Sequence, residues 1–348
     1  MTMSLRHSIN FKGHTPVWLY DYLGILEPKE GDELDLAGQK FIQRKGILRN
    51  QNLLSENQDQ TEKTFDFKWK KENTFDSQAS LSRMRLWLIE RYGDISTADW
   101  LIDHGENPIL IDVGCGAAMS TLELFGNLIP KVRYLGVDVS SAIDVAAKRF
   151  AERGLQGTFM QADINKPPLP INSVDLIFSE GALHHTDSTK ESLLSLSRCL
   201  KKGGRILFYV YRKKGPIREF TDDLIRDQLQ TMQPQEAWEA MEPISKLGIA
   251  LGELDAEIEI PQPIELLGIP AGRTTVQRLF YWHIAKAFYD NNLSFEEMNH
   301  INFDWYAPAN ATRHTPKEIQ EWCKEASLFI EREVVENAGI TIIAKKLK

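Results

Sequence analysis

The chain has 348 residues, of which 42% are hydrophobic and 26% charged, an ordinary composition for a folded globular protein. Lys and Arg total 41 against 49 Asp and Glu, so the formal net charge is −8. This acidic balance argues against binding nucleic acid or an anionic membrane by bulk electrostatics. At roughly 150 residues per domain, the length predicts two domains or one domain with a large elaboration.

No segment reaches the roughly 18 uninterrupted apolar residues of a membrane helix, and the first ten residues lack the apolar run of a secretory signal. Cys115, Cys199 and Cys323 are scattered and odd in number. This usage fits a reducing compartment better than a disulfide scaffold or a cysteine-rich metal site. We therefore expect a cytoplasmic protein without a metal site, either a monomer or a homodimer.

The first zone of the chain, residues 1–105, is polar and aromatic and is predicted to be an extension or lid. Residues 31–35 and 50–63 concentrate Gly, Asn, Gln and acids, which predicts loops. A short helix is expected at residues 97–103. Apolar side chains at helical spacing predict a longer helix before it, at Leu81, Met84, Leu88 and Tyr92.

From residue 109 to residue 211, short β-branched runs alternate with stretches of helical spacing. The predicted strands are residues 109–113, 132–137, 157–160, 174–179 and 205–211. The predicted helices are residues 117–125, 141–153 and 188–200. This alternation is typical of βαβ units, so it predicts an α/β fold with a doubly wound parallel sheet.

The segment 213–313 lacks this rhythm and is predicted to be a helical cap inserted into the core, which would comprise residues 106–212 and 314–348. Its predicted helices are residues 217–232, 236–251 and 275–291, with a Pro- and Gly-punctuated piece at 260–272. The aromatic stretches at 280–283 and 288–289 would then share one helix.

The regular pattern resumes after the cap. Thr315, Pro316 and Glu318 have the spacing of a capping box with proline at the first helical position, which predicts a helix to residue 326. Strands predicted at 329–335 and 340–344 are close enough for a hairpin. The final strand can therefore be antiparallel to the others.

The most informative motif is a glycine-rich turn directly after the first core strand, with Asp112, Gly114 and Gly116. Such a turn lets a ligand approach the backbone and the amino end of the next helix. Asp138 ends the second core strand, where a carboxylate can accept hydrogen bonds from both ribose hydroxyls. Asp163 follows the third strand and can accept from an exocyclic amine such as adenine N6.

The spacing of the glycines distinguishes between cofactors. A dinucleotide fingerprint has a third glycine three positions after the second, and here that position is Met119. The turn therefore favours a ligand smaller than a pyrophosphate-bridged dinucleotide.

Together these features resemble the class I S-adenosylmethionine-dependent methyltransferases of small-molecule or secondary metabolism. The resemblance is close over residues 109–212 and covers 315–348 in outline. It is carried by residues 112–116, Asp138, the Ala162–Asp163 step, residues 173–179, the Leu183-His184-His185 run and the glycines at 203 and 204. It implies a Rossmann-like seven-stranded sheet of order 3-2-1-4-5-7-6 with strand 7 antiparallel.

The resemblance also implies roles for individual residues. The turn at 112–116 would hold the methionine moiety, Asp138 the ribose, Asp163 and Ile164 the adenine, and the end of strand four the methyl-transfer side. The residues expected to bind S-adenosylmethionine, or its product S-adenosylhomocysteine, are Asp112, Gly114, Cys115, Gly116, Asp138, Val139, Ala162, Asp163, Ile164, Ser179 and Glu180.

A general base is needed if the acceptor is a hydroxyl or a carbon acid. His185, His184 and Glu180 follow strand four, where the methyl group is expected to point. The alternative for either histidine is a helix cap or a packing role, and for Glu180 a cofactor contact.

Substrate contacts are expected from the lid and the cap. Phe65, Phe67 and Trp69 are similar to an aromatic leader in some bacterial methyltransferases, and they either cover the cofactor or pack on the core. The arginines at 212, 218, 273 and 278 are candidates to pair with a carboxylate or phosphate. The residues expected to contact substrate are Trp69, Tyr211, Arg212, Tyr281, Tyr306 and His314.

The sequence therefore predicts an enzyme that moves a methyl group to O, N or C of a small molecule. An RNA or protein methyltransferase is one alternative, although the acidic charge argues against RNA. The other is a non-catalytic protein that keeps the fold as a binding or scaffold module.

Overall fold

The computed structural model describes residues 17–71, 74–98 and 106–348. Most of the helix predicted at 97–103 and the N-terminal ten residues lie outside these ranges. The short 3-10 helix Ile95–Thr97 precedes that gap. No helix within the described ranges is long and apolar enough to cross a membrane.

A mixed sheet runs through the centre of the molecule. Its core strands are β4 (Ile109–Val113), β5 (Arg133–Asp138), β6 (Thr158–Gln161), β7 (Val174–Glu180), β8 (Leu200–Tyr211), β11 (Leu328–Val335) and β12 (Gly339–Lys346). They lie in the order β6-β5-β4-β7-β8-β12-β11. The first five are parallel, while β12 is antiparallel to both β8 and β11. The predicted order 3-2-1-4-5-7-6 is confirmed.

Helices cover both faces of this sheet. They are α4 (Met119–Phe125), α5 (Ala142–Glu152), α6 (Thr189–Cys199) and α11 (Pro316–Glu325). Ile111 of β4 packs in a core that includes α6 and α11, whereas its neighbour Leu110 packs in the opposite core with α4 and α5. Successive side chains of a strand point to opposite faces, so a strand covered on both sides is apolar throughout.

The N-terminal zone adds three strands that the sequence did not indicate: β1 (Glu33–Leu36), β2 (Gln39–Arg44) and β3 (Ile47–Asn50). β3 is parallel to β6, with Leu48 opposite Met160, so the sheet has ten strands in the described part of the chain. The loop predicted at 31–35 holds for residues 31–32 and is wrong from Glu33 onwards, because the pairing that makes β1 a strand is a backbone property independent of its acidic side chains.

Helices of the N-terminal zone are α1 (Val17–Leu23), α2 (Glu56–Lys70) and α3 (Gln78–Tyr92). The loop predicted at 50–63 holds for residues 51–55 and is wrong from Glu56 onwards. Its polar residues open α2, where the side chain of Ser55 accepts a hydrogen bond from Gln58 N at the N-cap. The helix predicted around Leu88 is α3.

The segment after β8 contains α7 (Pro216–Leu229), α8 (Pro234–Glu253), the hairpin β9 (Glu257–Ile260) and β10 (Gly272–Thr275), α9 (Val276–His283) and α10 (Phe295–Tyr306). The single helix predicted at 275–291 was wrong, since α9 ends at His283. The chain then folds back, and Gln277 Nε2 donates to Ala287 O at 2.8 Å. The division into extension, core and cap remains a prediction.

Candidate functional site

A cavity of about 550 Å³ lies at the carboxyl ends of the parallel strands, between the sheet, α2 and the inserted segment. One end is lined by Gly114, Gly116, Asp138, Val139, Asp163 and Ile164, and is named the cofactor end after the role expected of these residues. The other end, named the cap end, is lined by residues of α3, α9 and α10 and of the segment between α9 and α10. The edge where open α/β sheets bind their ligands thus forms one wall of a larger space.

The glycine turn leaves room that a side chain would fill. Gly114 and Gly116 have φ of +72° and +50°. A Cβ on Gly114 would lie 2.1 Å from Ala182 Cβ, and one on Gly116 would lie 2.9 Å from the indole of Trp69. Glycine is therefore required here by both backbone angle and space, and the turn exposes its backbone to the cavity.

Two predicted acids face the same end of the cavity. Asp138 is buried, and it accepts hydrogen bonds from Ser140 N at 2.9 Å and from Gly116 N at 2.8 Å. Asp163 Oδ1 accepts from the backbone and side-chain amides of Asn165, both at 2.9 Å. Its Oδ2 makes no hydrogen bond within the described ranges. Burial raises the pKa of both carboxyls. Hydrogen bonds donated by a ligand would act in the opposite direction, because they stabilise the charged carboxylate.

Four residues expected at the cofactor do not line the cavity. Asp112 is only 3% exposed and accepts hydrogen bonds from Thr121 and from Tyr134 Oη, while burial raises its pKa to about 7. Ser179 Oγ donates to Val113 O at 2.9 Å. Cys115 and Ala162 are the other two. Asp112 and Ser179 therefore make hydrogen bonds that hold the strand ends in place, and they do not line the cavity.

Of the two adjacent histidines, only His185 lines the cavity. Its Nδ1 donates to Asn310 O at 2.5 Å, which leaves Nε2 as the unprotonated ring atom. Burial lowers the pKa of His185 to about 4, so the ring is neutral at pH 7. His184 is fully buried, stacks on Tyr211 at 3.6 Å between ring centroids, and makes no ring hydrogen bond in the described part of the chain.

Glu180 lines the cavity but is already engaged. Arg91 Nη1 donates to its Oε1 at 2.7 Å, and Tyr92 Oη donates to its Oε2. Burial raises the pKa of Glu180, against the lowering effect of Arg91. With both oxygens bound, Glu180 orients Arg91, whose guanidinium lies 3.8 Å above the Tyr209 ring. This α3–β7 pair could not be predicted from the sequence, because it arises from tertiary packing.

Helix α2 covers the cofactor end of the cavity. Trp69 lies on Gly116, Phe65 meets the His185 ring edge-on at 5.0 Å, and Lys68 forms a salt bridge with Asp304 of α10. Phe67 points elsewhere and packs on Trp238 and Phe303. Phe65 and Trp69 therefore line the cavity, while Phe67 packs on the inserted segment; that the first two cover the cofactor stays a prediction.

The structure brings three of the six expected substrate residues to the cavity: Trp69, Tyr211 and Tyr281. The other three do not line it, and each side chain is committed to a structural contact. Arg212 Nη1 donates to Glu336 O at 3.3 Å, Tyr306 Oη accepts from Lys286 N at 2.6 Å, and His314 Nε2 lies 2.9 Å from Thr189 Oγ1.

Several residues at the cap end were not anticipated from the sequence. Lys286 is buried there, its Nζ donates to Ile301 O at 2.9 Å, and burial lowers its pKa to about 7. His300 Nδ1 lies 2.9 Å from Thr74 Oγ1, and burial lowers its pKa to about 3. Arg83 of α3 also lines the cavity, and in the sequence it lies between Leu81 and Met84, two of the apolar positions that predicted this helix. Within the described ranges, no group of three or more His, Cys, Asp or Glu is arranged to hold a metal ion.

Comparison with known proteins locates the family signal in the sheet. Residues 111–208 match the family model described as a methyltransferase domain. Over 108 residues the chain is 32% identical to the ubiquinone/menaquinone biosynthesis C-methyltransferase UbiE of Azotobacter vinelandii, covering 30% of this chain and 42% of that protein. It is 31% identical over 108 residues to the malonyl-[acyl-carrier protein] O-methyltransferase of Paenibacillus sp., covering 30% and 39%.

The chain thus spans less than half the length of these curated relatives. Among solved structures, magnesium protoporphyrin IX methyltransferase from Synechocystis has a TM-score of 0.45 at 12% identity, over 85% of this chain and 100% of that chain.

Proposed function

Since residues 111–208 form a class I S-adenosylmethionine-dependent methyltransferase domain, we propose that this protein transfers a methyl group from S-adenosylmethionine to a small molecule bound beneath α2 and the inserted segment. The observation that carries the proposal is the convergence of Gly114, Gly116, Asp138 and Asp163 on one end of a cavity whose other end is lined by aromatic and charged residues.

The residues at the cofactor end fit an adenosyl group. The glycine cradle has no space for a side chain but gives access to backbone N–H groups. In this proposal Asp138 accepts hydrogen bonds from the ribose hydroxyls, and Asp163 and Ile164 contact the adenine. S-adenosylmethionine supplies a methyl group already activated on a sulfonium. The remaining task of the protein is to orient the acceptor and exclude water.

Where the acceptor must lose a proton, we propose His185 as the general base. Its Nδ1 hydrogen bond to Asn310 O fixes the tautomer and leaves a lone pair on Nε2. The proton of an acceptor O–H, N–H or C–H would move to Nε2 as the acceptor bonds to the methyl carbon, while the S–CH3 bond would break with its electron pair left on sulfur and S-adenosylhomocysteine would be released. Because its pKa is near 4, His185 is unprotonated at neutral pH and can accept a proton. A base of such low pKa is weak, so it is suited to an acceptor that is itself acidic.

A small-molecule acceptor is favoured by the construction of the cavity. Trp69 covers the glycine turn, and the Lys68–Asp304 salt bridge ties α2 to α10 beside it. The acceptor would therefore have to fit under side chains that are already connected. The names of the curated relatives include both a quinone-pathway enzyme and an acyl-carrier-protein enzyme, so they leave the acceptor class open.

Transfer of labelled methyl groups tests the proposal. The protein is incubated with methyl-tritiated S-adenosylmethionine and an extract of its source cells, which is then divided by ultrafiltration. We expect label in the low-molecular-mass fraction, lost in the Asp138→Ala variant. Label confined to RNA or protein would support the macromolecular alternative, and no transfer with any fraction would support the scaffold alternative.

A further inference from the structure

We propose that the cap end of the cavity binds an oxyanion, a carboxylate or phosphate, carried by an aryl-bodied acceptor and recognised by Arg83 and Arg278. This inference rests on the proposed function for the identity of the ligand as methyl acceptor. The site itself consists of residues outside the methyltransferase domain.

Arg83 is a cation without an anionic partner in the described structure. It lies on α3, lines the cavity, and forms no salt bridge there. Its Nε is buried and makes no hydrogen bond in the described part of the chain. A buried donor without an acceptor is unfavourable, so a ligand oxygen at this position would be favoured.

Arg278 provides a second guanidinium at the same end. It lies on α9, lines the cavity, and its side chain makes no hydrogen bond or salt bridge to any described residue. Burial lowers the pKa of Arg83, the charges of Asp290 and Glu297 raise it, and the positive charge of Arg278 lowers it by a smaller amount. Two neighbouring cations repel each other, and an anion placed between them relieves that repulsion.

Two acids, Asp290 and Glu297, also line the cavity near Arg83. Asp290 Oδ1 accepts hydrogen bonds from the backbone and side-chain amides of Asn292. Glu297 Oε2 accepts from Ser294 N as part of the capping box that opens α10. Both acids raise the pKa of Arg83 through space, but neither forms a salt bridge with it.

Aromatic rings form the wall beside the two arginines. The Arg83 guanidinium lies 5.2 Å from the Phe288 ring centroid, and that of Arg278 lies 5.4 Å from Tyr281. The ring centroids of Tyr281 and Phe288 are 6.1 Å apart. The Trp282 ring meets the Tyr281 ring edge-on, with 4.6 Å between their centroids. A flat apolar body can pack on these rings while its anionic group reaches the guanidinium groups.

The other arginines of the inserted segment explain why these two stand out. Arg218 is paired with Asp222 at 2.7 Å, and Arg273 with Glu259 at 3.2 Å on the surface. Arg226 is buried against Trp305 O. Arg313 is paired with Glu219 and Asp223. None of these four lines the cavity. Arg273 is therefore a matched control for removing one positive charge from the same segment.

Calorimetric titration with model anions tests the inference in protein saturated with S-adenosylhomocysteine. The probes are benzoate, 2-naphthoate and biphenyl-4-carboxylate, each compared with its primary amide, and 2-naphthyl phosphate compared with 2-naphthol. We expect at least one anion to bind about tenfold more tightly than its neutral counterpart, because the charge-assisted hydrogen bonds are lost in the latter.

Variants assign this preference to the two arginines. Arg83→Gln and Arg278→Gln should each reduce it to about threefold or less, whereas Arg273→Gln should retain it. If no anion binds better than its neutral counterpart, or if both cavity variants keep the preference, the inference is wrong. A preference for the phosphate over all carboxylates would assign the ligand as a phosphate ester.

A separate titration with S-adenosylhomocysteine keeps the two proposals distinguishable. Unchanged affinity in Arg83→Gln and Arg278→Gln shows that the variants are folded and that the cofactor end is intact. If the wild-type protein does not bind S-adenosylhomocysteine, the proposed function fails, and the same probes titrated without it then test the anion site alone.

Discussion

The indole of Trp69 lies against the backbone of Gly116, so that a Cβ at this glycine would be 2.9 Å from Trp69 Nε1. The contact joins the end of α2 to the glycine turn that follows β4. It makes the N-terminal zone a physical part of the cofactor end rather than a separate appendage.

The first prediction follows from this contact. Gly116→Ala should weaken S-adenosylhomocysteine binding about tenfold or more, because the methyl group displaces Trp69 and narrows the cradle. Gly154→Ala is the matched control, since Gly154 also has positive φ, at +68°, but no atom within 4 Å of the added Cβ. Gly154→Ala should lose about 1–2 kcal/mol of unfolding free energy, and Gly116→Ala should lose more because it also displaces Trp69. Equal affinities of Gly116→Ala and Gly154→Ala for S-adenosylhomocysteine would contradict the proposal that the glycine turn holds the cofactor.

Removing the ribose acceptor gives the second prediction. Asp138→Ala should weaken the binding free energy of S-adenosylhomocysteine by about 1–3 kcal/mol, which calorimetry measures as a higher dissociation constant. Asp144→Ala is the control, since Asp144 lies nearby on α5 and forms a salt bridge with Arg49. An unchanged constant in Asp138→Ala would rule out the ribose assignment.

The salt bridge between α2 and α10 gives the third prediction. Despite burial, which alone would raise it, Lys68 holds the pKa of Asp304 below its ordinary value. Asp304→Asn should lower the unfolding free energy by about 3 kcal/mol, because it leaves the Lys68 ammonium buried without its partner. Breaking the exposed Lys63–Asp59 pair of the same helix with Asp59→Asn should cost about 0.5 kcal/mol or less.

The fourth prediction concerns acid stability. His300 has a pKa of about 3 in the folded protein, below the unfolded value of about 6.5, because it is buried. The unfolded chain therefore binds a proton that the folded chain does not, and stability falls as pH decreases from 6.5 towards 3.

Denaturant unfolding between pH 6 and pH 4 measures this effect. His300→Gln should reduce the slope of unfolding free energy against pH by about 1.4 kcal/mol per pH unit, the value for one proton. His283→Gln should reduce it less, because His283 is only partly buried. Equal slopes in wild type and His300→Gln would contradict the assignment.

His185 gives the fifth prediction. With an acceptor identified by label transfer, His185→Gln should lower kcat by about 10²- to 10⁴-fold and leave S-adenosylhomocysteine affinity unchanged. His283→Gln is the control for loss of a histidine that does not line the cavity. Full activity in His185→Gln would remove His185 as the base.

The sequence predicted the core of the fold well, because the signals there are local. The strand Ile109–Val113 is apolar throughout, and Gly114 and Gly116 mark the turn after it. The strands β1 to β3 were missed since their side chains are largely polar and their pairing depends on residues far away in the chain.

The residues lining the cavity could be foreseen best at its cofactor end, although Tyr281 and Arg278 at the cap end were also candidates from the sequence. Asp138 ends one strand and Asp163 follows the next, and the order of these strands follows from topology, so their meeting could be foreseen. Arg83 and Arg91 reach the cavity from α3, and nothing in the spacing of that helix indicates which strand or cap element it faces. Such contacts depend on how the layers pack, which one sequence does not encode locally.

The structure of the protein with S-adenosylhomocysteine tests the central claim most directly. We expect the ribose hydroxyls to be within hydrogen-bond distance of Asp138, the adenine to lie beside Asp163 and Ile164, and the sulfur to face His185. An adenosyl group bound elsewhere, or a dinucleotide occupying the glycine turn in its place, would contradict the account.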